Sequence, residues 1–174
     1  MSFNFVTFPI LKTERLILRA LNFDDVGAIF DLRSNEEVHK LITRKTPKNL
    51  KEAEDFIQVC HEEFENRNRV FWAMEFNDKM IGTIVYHRID LESNYAEIGY
   101  ELNPEYHQKG FMSEAMKSVL NYGFSEMNLN TVEAFTHKNN TPSIALLEKC
   151  NFIFQPERKC KNVENNSIYK LYKV

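Results

Sequence analysis

Tyr95-Ala96-Glu97-Ile98-Gly99-Tyr100-Glu101-Leu102 runs through Asn103-Pro104 into Glu105-Tyr106-His107-Gln108-Lys109-Gly110-Phe111-Met112-Ser113-Glu114-Ala115-Met116. This stretch, carried on to Met127, decides how the rest of the chain is read. Its first eight residues are rich in aromatic and β-branched side chains and read as a strand. From Ser113 onward Ala115, Met116, Val119, Leu120 and Phe124 recur at helical spacing, which predicts an amphipathic helix. Between them lies a short loop with one glycine, set against the helix start. The first N–H groups of a helix lack intrahelical partners and sit at the positive end of its dipole, so this is a natural place for an anion. Gly110 lets backbone approach a phosphate with no Cβ in the way. Taken alone, a glycine before a helix is most often a plain turn. Neither G-x-x-x-x-G-K-[ST] nor G-x-G-x-x-G occurs here.

Upstream, residues 14–21 alternate, with Leu16, Leu18 and Ala20 on one face of a first strand. Asn22 or Asp24 can cap the helix that follows, whose apolar stripe is Val26, Ile29, Phe30 and Leu32. Residues 35–49 read as a polar connection and 50–66 as a second helix turning Ala53, Phe56, Ile57 and Phe64 inward. Residues 70–76 and 80–89 form a hairpin about Asn77-Asp78-Lys79, and Glu92-Ser93-Asn94 turns the chain into the central strand. Downstream, residues 127–130 break the helix and 131–137 form another strand. Pro142 suits a first helical turn and starts a helix after Asn140. Strands at about 152–159 and 168–173 close the sheet around a polar 161–167 turn. The order is βααβββαβαββ, an α/β fold in one domain spanning residues 1–174.

A chain of 174 residues can bury a full core. Its 22 basic and 25 acidic residues give a net charge of -3, which calls for neither nucleic acid nor an anionic membrane. Cys60, Cys150 and Cys160 are odd in number and lack metal-ligand spacing, so neither a disulfide framework nor a zinc or other metal site is expected. No run approaches the roughly 20 apolar residues of a membrane span, and no basic signal-peptide head is present. A cytoplasmic location is the expectation.

The run from Glu97 to Ala115 closely resembles the acetyl-CoA-binding core of the GNAT superfamily of N-acetyltransferases. Within it, the branch containing ribosomal-protein N-terminal acetyltransferases is most similar. The superfamily pattern [Q/R]-x-x-G-x-[G/A] falls on His107-Gln108-Lys109-Gly110-Phe111-Met112, departing at its first and last positions. Thr13-Glu14-Arg15-Leu16-Ile17-Leu18-Arg19 with Asp24-Asp25 resembles the opening of the same branch. A second motif, Asn140-Thr-Pro-Ser143-Ile-Ala-Leu-Leu147-Glu-Lys149-Cys-Asn151-Phe152, resembles the family's N-x-x-S-x-x-x-L-x-K-x-G-F helix. Asn151 replaces the glycine, a conservative change because Asn is the usual second choice for a left-handed helix terminator. The resemblance covers residues 13–171.

The resemblance implies a mixed, mostly antiparallel sheet whose central strands splay apart. It implies acetyl-CoA as cosubstrate, with backbone at Tyr100, Glu101 and Leu102 pairing with the pantetheine arm. His107, Gln108, Lys109, Gly110, Phe111, Met112 and Ser113 would hold the pyrophosphate, and Asn140 and Ser143 would complete the site. One N–H at the splay would face the developing oxyanion. The two-helix region would line the acceptor cleft, although Arg44, Lys45 and Lys48 read as a solvated loop. Many relatives place a tyrosine seven residues after the motif Asn as general acid. Leu147 stands there, leaving Ser143 as the catalytic candidate on that helix.

For the base, Glu97 and Glu101 share a strand face and Tyr100 takes the other. Only Glu101 lies near the expected splay, as a direct or water-mediated base. An α-amine with a pKa near 7.8 is roughly a tenth neutral at pH 7, whereas a lysine near 10.4 is neutral at a few parts in ten thousand. Those ~2.6 units correspond to about 3.5 kcal/mol, so an α-amine acceptor needs far less help from a base. The acceptor remains open between a protein N-terminus and a small-molecule amine. A non-catalytic acyl-CoA-binding module would share the phosphate loop, and consumption of acetyl-CoA with an amine panel separates the two. Homodimers are common in the family.

Overall fold

The computed structural model describes residues 7–42, 44–159, 163 and 165–173. Thr43, Cys160 and part of the expected 161–167 turn lie outside the described residues. Among the described residues eight strands form one sheet: β1 (Leu11–Lys12), β2 (Ile17–Ala20), β3 (Arg69–Phe76), β4 (Lys79–Asp90), β5 (Tyr95–Leu102), β6 (Thr131–His137), β7 (Ile153–Phe154) and β8 (Asn166–Tyr172). Five helices accompany them: α1 (Val26–Ser34), α2 (Glu36–His39), α3 (Leu50–Glu65), α4 (Phe111–Ser125) and α5 (Thr141–Lys149). The spatial order is β1-β2-β3-β4-β5-β6-β8-β7. Among the described strands only β5 and β6 run parallel; the other neighbouring pairs are antiparallel.

The fold is a mixed, mostly antiparallel α/β sheet, as the motifs imply, with small corrections of detail. Leu11–Lys12 forms an extra edge strand, and the polar 35–49 connection contains the one-turn helix α2, capped by the Asn35 side chain. The first strand is confined to Ile17–Ala20, and helix α4 begins at Phe111 rather than Ser113. The long strand expected over 152–159 shrinks to Ile153–Phe154. Pro156 follows two residues later, and proline cannot donate to a sheet ladder.

Local chemistry accounts for the joints. Asn22 and Asp25 form a reciprocal capping box over the 3₁₀ turn Phe23–Asp25 that leads into α1. Asn77 and Asp78 both take positive φ, the requirement of the hairpin turn whose twist matches its strands. Asn151 ends α5 at φ 64°, doing what a glycine would do there.

The two faces of the sheet carry different layers. Helix α4 packs on the face of Trp72, Ile84, Tyr86 and Ile98, burying Phe111, Met112, Ala115, Met116 and Val119. Gly123 lets the helix sit close, because a Cβ there would lie 2.5 Å from the Tyr86 hydroxyl, which donates to Val119 O at 3.1 Å. The opposite face, with Phe71 and Ala73, packs against Ile29 of α1 and Ala53, Ile57 and Cys60 of α3. A charged row crosses that face: Arg69 opposes His87, His87 opposes Glu97, Glu97 opposes Glu133, and Glu133 opposes Lys170. Beside it, Arg88 takes φ 49° where the β4–β5 register shifts. A bulge re-aims a side chain, and the Arg88 guanidinium reaches both Glu97 oxygens at 2.8 and 3.1 Å.

Candidate active site

The sheet opens in its middle. Strands β5 and β6 pair only from Tyr95↔Thr131 to Ile98↔Ala134. Beyond that point residues 99–102 stay with β4, while residues 135–137 stay with β8. The two strands diverge, and a cavity of about 510 Å³ occupies the gap. Its lining includes Gly99, Tyr100 and Glu101 on one side and Phe135, Thr136 and His137 on the other. Because the gap passes through the sheet, residues from both layers meet in it.

From the α5 side come Asn140 and Ser143. The Asn140 side chain caps the helix by accepting from the Ser143 N–H at 3.2 Å. That fixes Ser143 in the first turn, where its hydroxyl lies 2.7 Å from the Tyr100 hydroxyl. Burial pushes the Tyr100 phenol upward, with the Ser143 bond opposing, so the phenol keeps its proton at neutral pH. The sequence reading used Tyr100 for its backbone alone. An aromatic hydroxyl thus lies beside Ser143, contributed by strand β5 while position 147 of α5 is a buried leucine.

From the α1–α3 side come Arg33, Arg44, Phe56 and Arg69. The reading of Arg44 as part of a solvated loop is wrong: its side chain is 12% exposed, whereas Lys45 is 84% exposed. Arg44 grips both oxygens of Glu101, Nε to Oε1 at 2.6 Å and Nη2 to Oε2 at 2.8 Å, and donates to the Arg33 carbonyl. Arg33 lies 3.7 Å from Glu101 and stacks 4.0 Å over the Phe56 ring. Burial lowers the Arg33 pKa; Glu101 opposes that and Arg44 adds to it. With both oxygens committed, Glu101 is a poor free base.

His87 lines the same cavity, with Nδ1 3.8 Å from Glu97 Oε2. Burial pulls its pKa below 6.5; Glu97 pulls the other way, and Arg69 and Arg88 reinforce the fall. The imidazole is therefore neutral at pH 7. No sequence spacing pointed to it, since the contact is made across strands.

The glycine loop lies beyond the cavity lining. Gly110 is the α4 N-cap at φ 81°, a left-handed conformation, and a Cβ there would lie 3.3 Å from the Arg15 guanidinium. Among the described residues, the backbone N–H groups of Phe111, Met112 and Ser113 have no hydrogen-bond acceptor, as expected of a first turn. Arg15 braces the loop by donating to the Lys109 carbonyl at 2.9 Å and stacking on Phe111. Glu114 holds Arg15 in turn. Burial pushes the Glu114 pKa up, but bonds from Thr13 and from the Arg15 backbone and guanidinium outweigh it and leave the pKa low. His107 Nε2 donates to the Leu102 carbonyl at 2.9 Å, and Lys109 donates to the Glu105 carbonyl at 2.7 Å. Gln108 takes φ 59°, and Leu102 ends the strand. Of the sequence candidates, Tyr100, Glu101, Asn140 and Ser143 therefore meet at the cavity, while Leu102 ends β5 and residues 107–113 form the loop and the first turn of α4 beyond it. Among the described residues no group of three or more His, Cys, Asp or Glu could hold a metal ion, and no helix is long and apolar enough to cross a membrane.

The sheet parts at its centre, as the sequence resemblance implied, and a hydroxyl pair and an imidazole line the gap. The chain belongs to the acetyltransferase (GNAT) family, whose domain matches residues 15–153. The uncharacterised N-acetyltransferase YoaA of Bacillus subtilis (strain 168) is 37% identical over 83% of each chain. The spermidine N(1)-acetyltransferase of Vibrio cholerae serotype O1 is 25% identical over 80% of each. The fold matches that of RimL, a ribosomal L7/L12 α-N-protein acetyltransferase in complex with coenzyme A, at a TM-score of 0.83. That match has 15% identity and covers 94% of this chain and 98% of the other.

Proposed function

We propose that this N-acetyltransferase moves an acetyl group from acetyl-CoA to a primary α-amine, as at the N-terminus of a peptide or protein. The observation that carries the reading is the parting of β5 and β6 next to a helix that starts on a left-handed glycine. The unpaired edge of residues 99–102 offers backbone groups to an extended amide chain. The first-turn N–H groups of α4, with Arg15 and Lys109 close by, suit a pyrophosphate. These features fit acetyl-CoA, which supplies an activated thioester carbonyl.

The chain's own groups then divide the work. His87, neutral and oriented by Glu97, accepts a proton from the incoming amine directly or through water. Backbone N–H groups at the split stabilise the developing oxyanion. Ser143, backed by the protonated Tyr100, delivers a proton to the departing thiolate. Glu101 holds Arg44 and thereby shapes the acceptor side. The α-amine is favoured because the base is modest: His87 can relieve an amine of pKa near 7.8 far more readily than one near 10.4.

Mass spectrometry of a peptide carrying both a free N-terminus and an internal lysine tests the assignment. Acetylation at the N-terminus is the expected result; modification confined to lysine would sink it.

A further inference from the structure

The cavity carries more positive charge than its fold needs. Among the described lining residues are four guanidinium groups, Arg33, Arg44, Arg69 and Arg88, against two carboxylates, Glu97 and Glu101. Arg88 is paired with Glu97, and Arg44 with Glu101. Arg33 stands 3.7 Å from a carboxylate that Arg44 already holds at both oxygens. Arg69 has no carboxylate within ion-pair distance among the described residues, and its Nε is buried without a hydrogen-bond partner. Its neighbour Cys60 gives no compensating charge, because burial pushes that thiol up to about 12. Holding like charges out of water is costly unless something of opposite sign repays it.

The phosphates of acetyl-CoA do not explain the surplus. The guanidinium groups belong to the α1–α3 side of the sheet, while α4, whose start suits those phosphates, packs on the opposite face. The thioester end of the cosubstrate carries no charge. What remains is the acceptor.

We infer that the acceptor is an amine bearing its own carboxylate groups, received by Arg33 and Arg69 on the α1–α3 side of the cavity, while Arg44 and Glu101 brace them. This rests on the reading of that cavity as the acceptor's site in acetyl transfer. Guanidinium forks match carboxylates in geometry as well as charge. The surplus disfavours polyamines, whose remaining ammonium groups would face Arg33 and Arg69. Two sources share the favoured chemistry: a peptide N-terminus followed by acidic residues, and a free acidic amino acid.

The test uses kcat/KM for peptides that begin Ser-Ala and continue with Glu-Asp, Gln-Asn or Lys-Lys, beside free glutamate and spermidine, at low and high salt. The acidic peptide or glutamate should exceed the neutral peptide by about tenfold or more at low salt, and the Lys-Lys peptide and spermidine should rank last. The advantage should shrink as salt screens it. A better acidic peptide points to protein N-termini, and better glutamate to a free amino acid; both support the inference. Calorimetry with the acidic peptide, in the presence of CoA, should show roughly tenfold weaker binding by Arg69→Gln, with CoA affinity kept. Arg69→Lys, which retains the charge, should recover part of the loss and guards against a folding defect. Equal rates across the three peptides, a preference for spermidine, or an unchanged acidic-to-neutral ratio in Arg69→Gln would overturn the inference while leaving acetyl transfer standing. Bound CoA with no amine acetylated would bring down the transferase reading and this inference together.

Discussion

The two halves of β5 have the same kind of sequence and opposite fates. Residues 95–98 all pair with β6, Tyr95, Glu97 and Ile98 also pair with β4, and Ala96 and Ile98 are buried in the main core. Residues 99–102 are paired with β4 alone, and Gly99, Tyr100 and Glu101 face the cavity. The difference does not come from strand propensity, since Tyr100 is as good a strand residue as Tyr95. It comes from β6, whose residues 135–137 follow β8 away from the centre. One half of the strand holds the molecule together; the other is left to do chemistry. Substitutions should therefore separate stability from activity along a single strand.

The largest effect belongs to the paired half. Ile98→Ala should cost about 2–5 kcal/mol of stability, read by urea unfolding, because a buried branched side chain at the last paired position leaves a cavity. A loss under about 1 kcal/mol would mean that the paired half is not what anchors the sheet. Next comes the loop that the open half leads into. Gly110→Val meets a positive φ and the Arg15 guanidinium, and should weaken CoA binding by about 1–3 kcal/mol if a donor is lost. Equal calorimetric affinities would remove the loop from the cosubstrate site.

At the open half, Tyr100→Phe and, on the facing helix α5, Ser143→Ala should each lower kcat by roughly tenfold, with little change in the KM for acetyl-CoA. The double variant should lose little more than either alone, since two groups sharing one hydrogen bond are not additive. Unchanged kcat with a lower melting temperature would make the pair a structural bond between strand and helix.

The smallest effect concerns His87. Its pKa lies below 6.5 in the folded protein, so the neutral form persists at pH 7 and is lost only as pH falls further. Protonation of His87 should therefore add an acid limb below about pH 6.5, on top of the rise toward about pH 8 that follows the acceptor amine's own deprotonation, and His87→Gln should slow the reaction by about a few-fold and erase that limb. The same shift makes the folded state bind fewer protons than the unfolded chain, so its contribution to stability is present above pH 6.5 and fades below it. An acid limb that survives in His87→Gln would assign it to another group.

Local pattern made most of the fold legible. Strand β6 was bounded by its residues alone, and the α4 stripe of Ala115, Met116, Val119 and Leu120 is buried as its spacing requires. Leu11–Lys12 and Glu36–His39 escaped because two residues of strand and one turn of helix carry no periodicity. The site was less legible, since its key contacts join residues distant in sequence. Arg44 looked like loop charge until the fold set Glu101, 57 positions away, against it. His87 and Glu97 meet only because β4 and β5 are in register. The Tyr100 side chain was overlooked because a strand residue shows its face in the sequence but not what lies opposite.

The parting of β5 from β6 also creates an edge inside the sheet. Exposed strand edges recruit strands from other molecules, and proteins commonly guard them with charge, bulges or cover. Here the unpaired backbone is recessed between a helical layer on each face, with Tyr100 and Ser143 on one side and Arg33 and Arg44 on the other. The opening there is a cavity of about 510 Å³, the scale of one extended chain rather than of a folded sheet. The protein thus keeps a strand-adding surface without the aggregation hazard of an outer edge, and slender amide-bearing molecules that line up along residues 99–102 are a ready template for inhibitors.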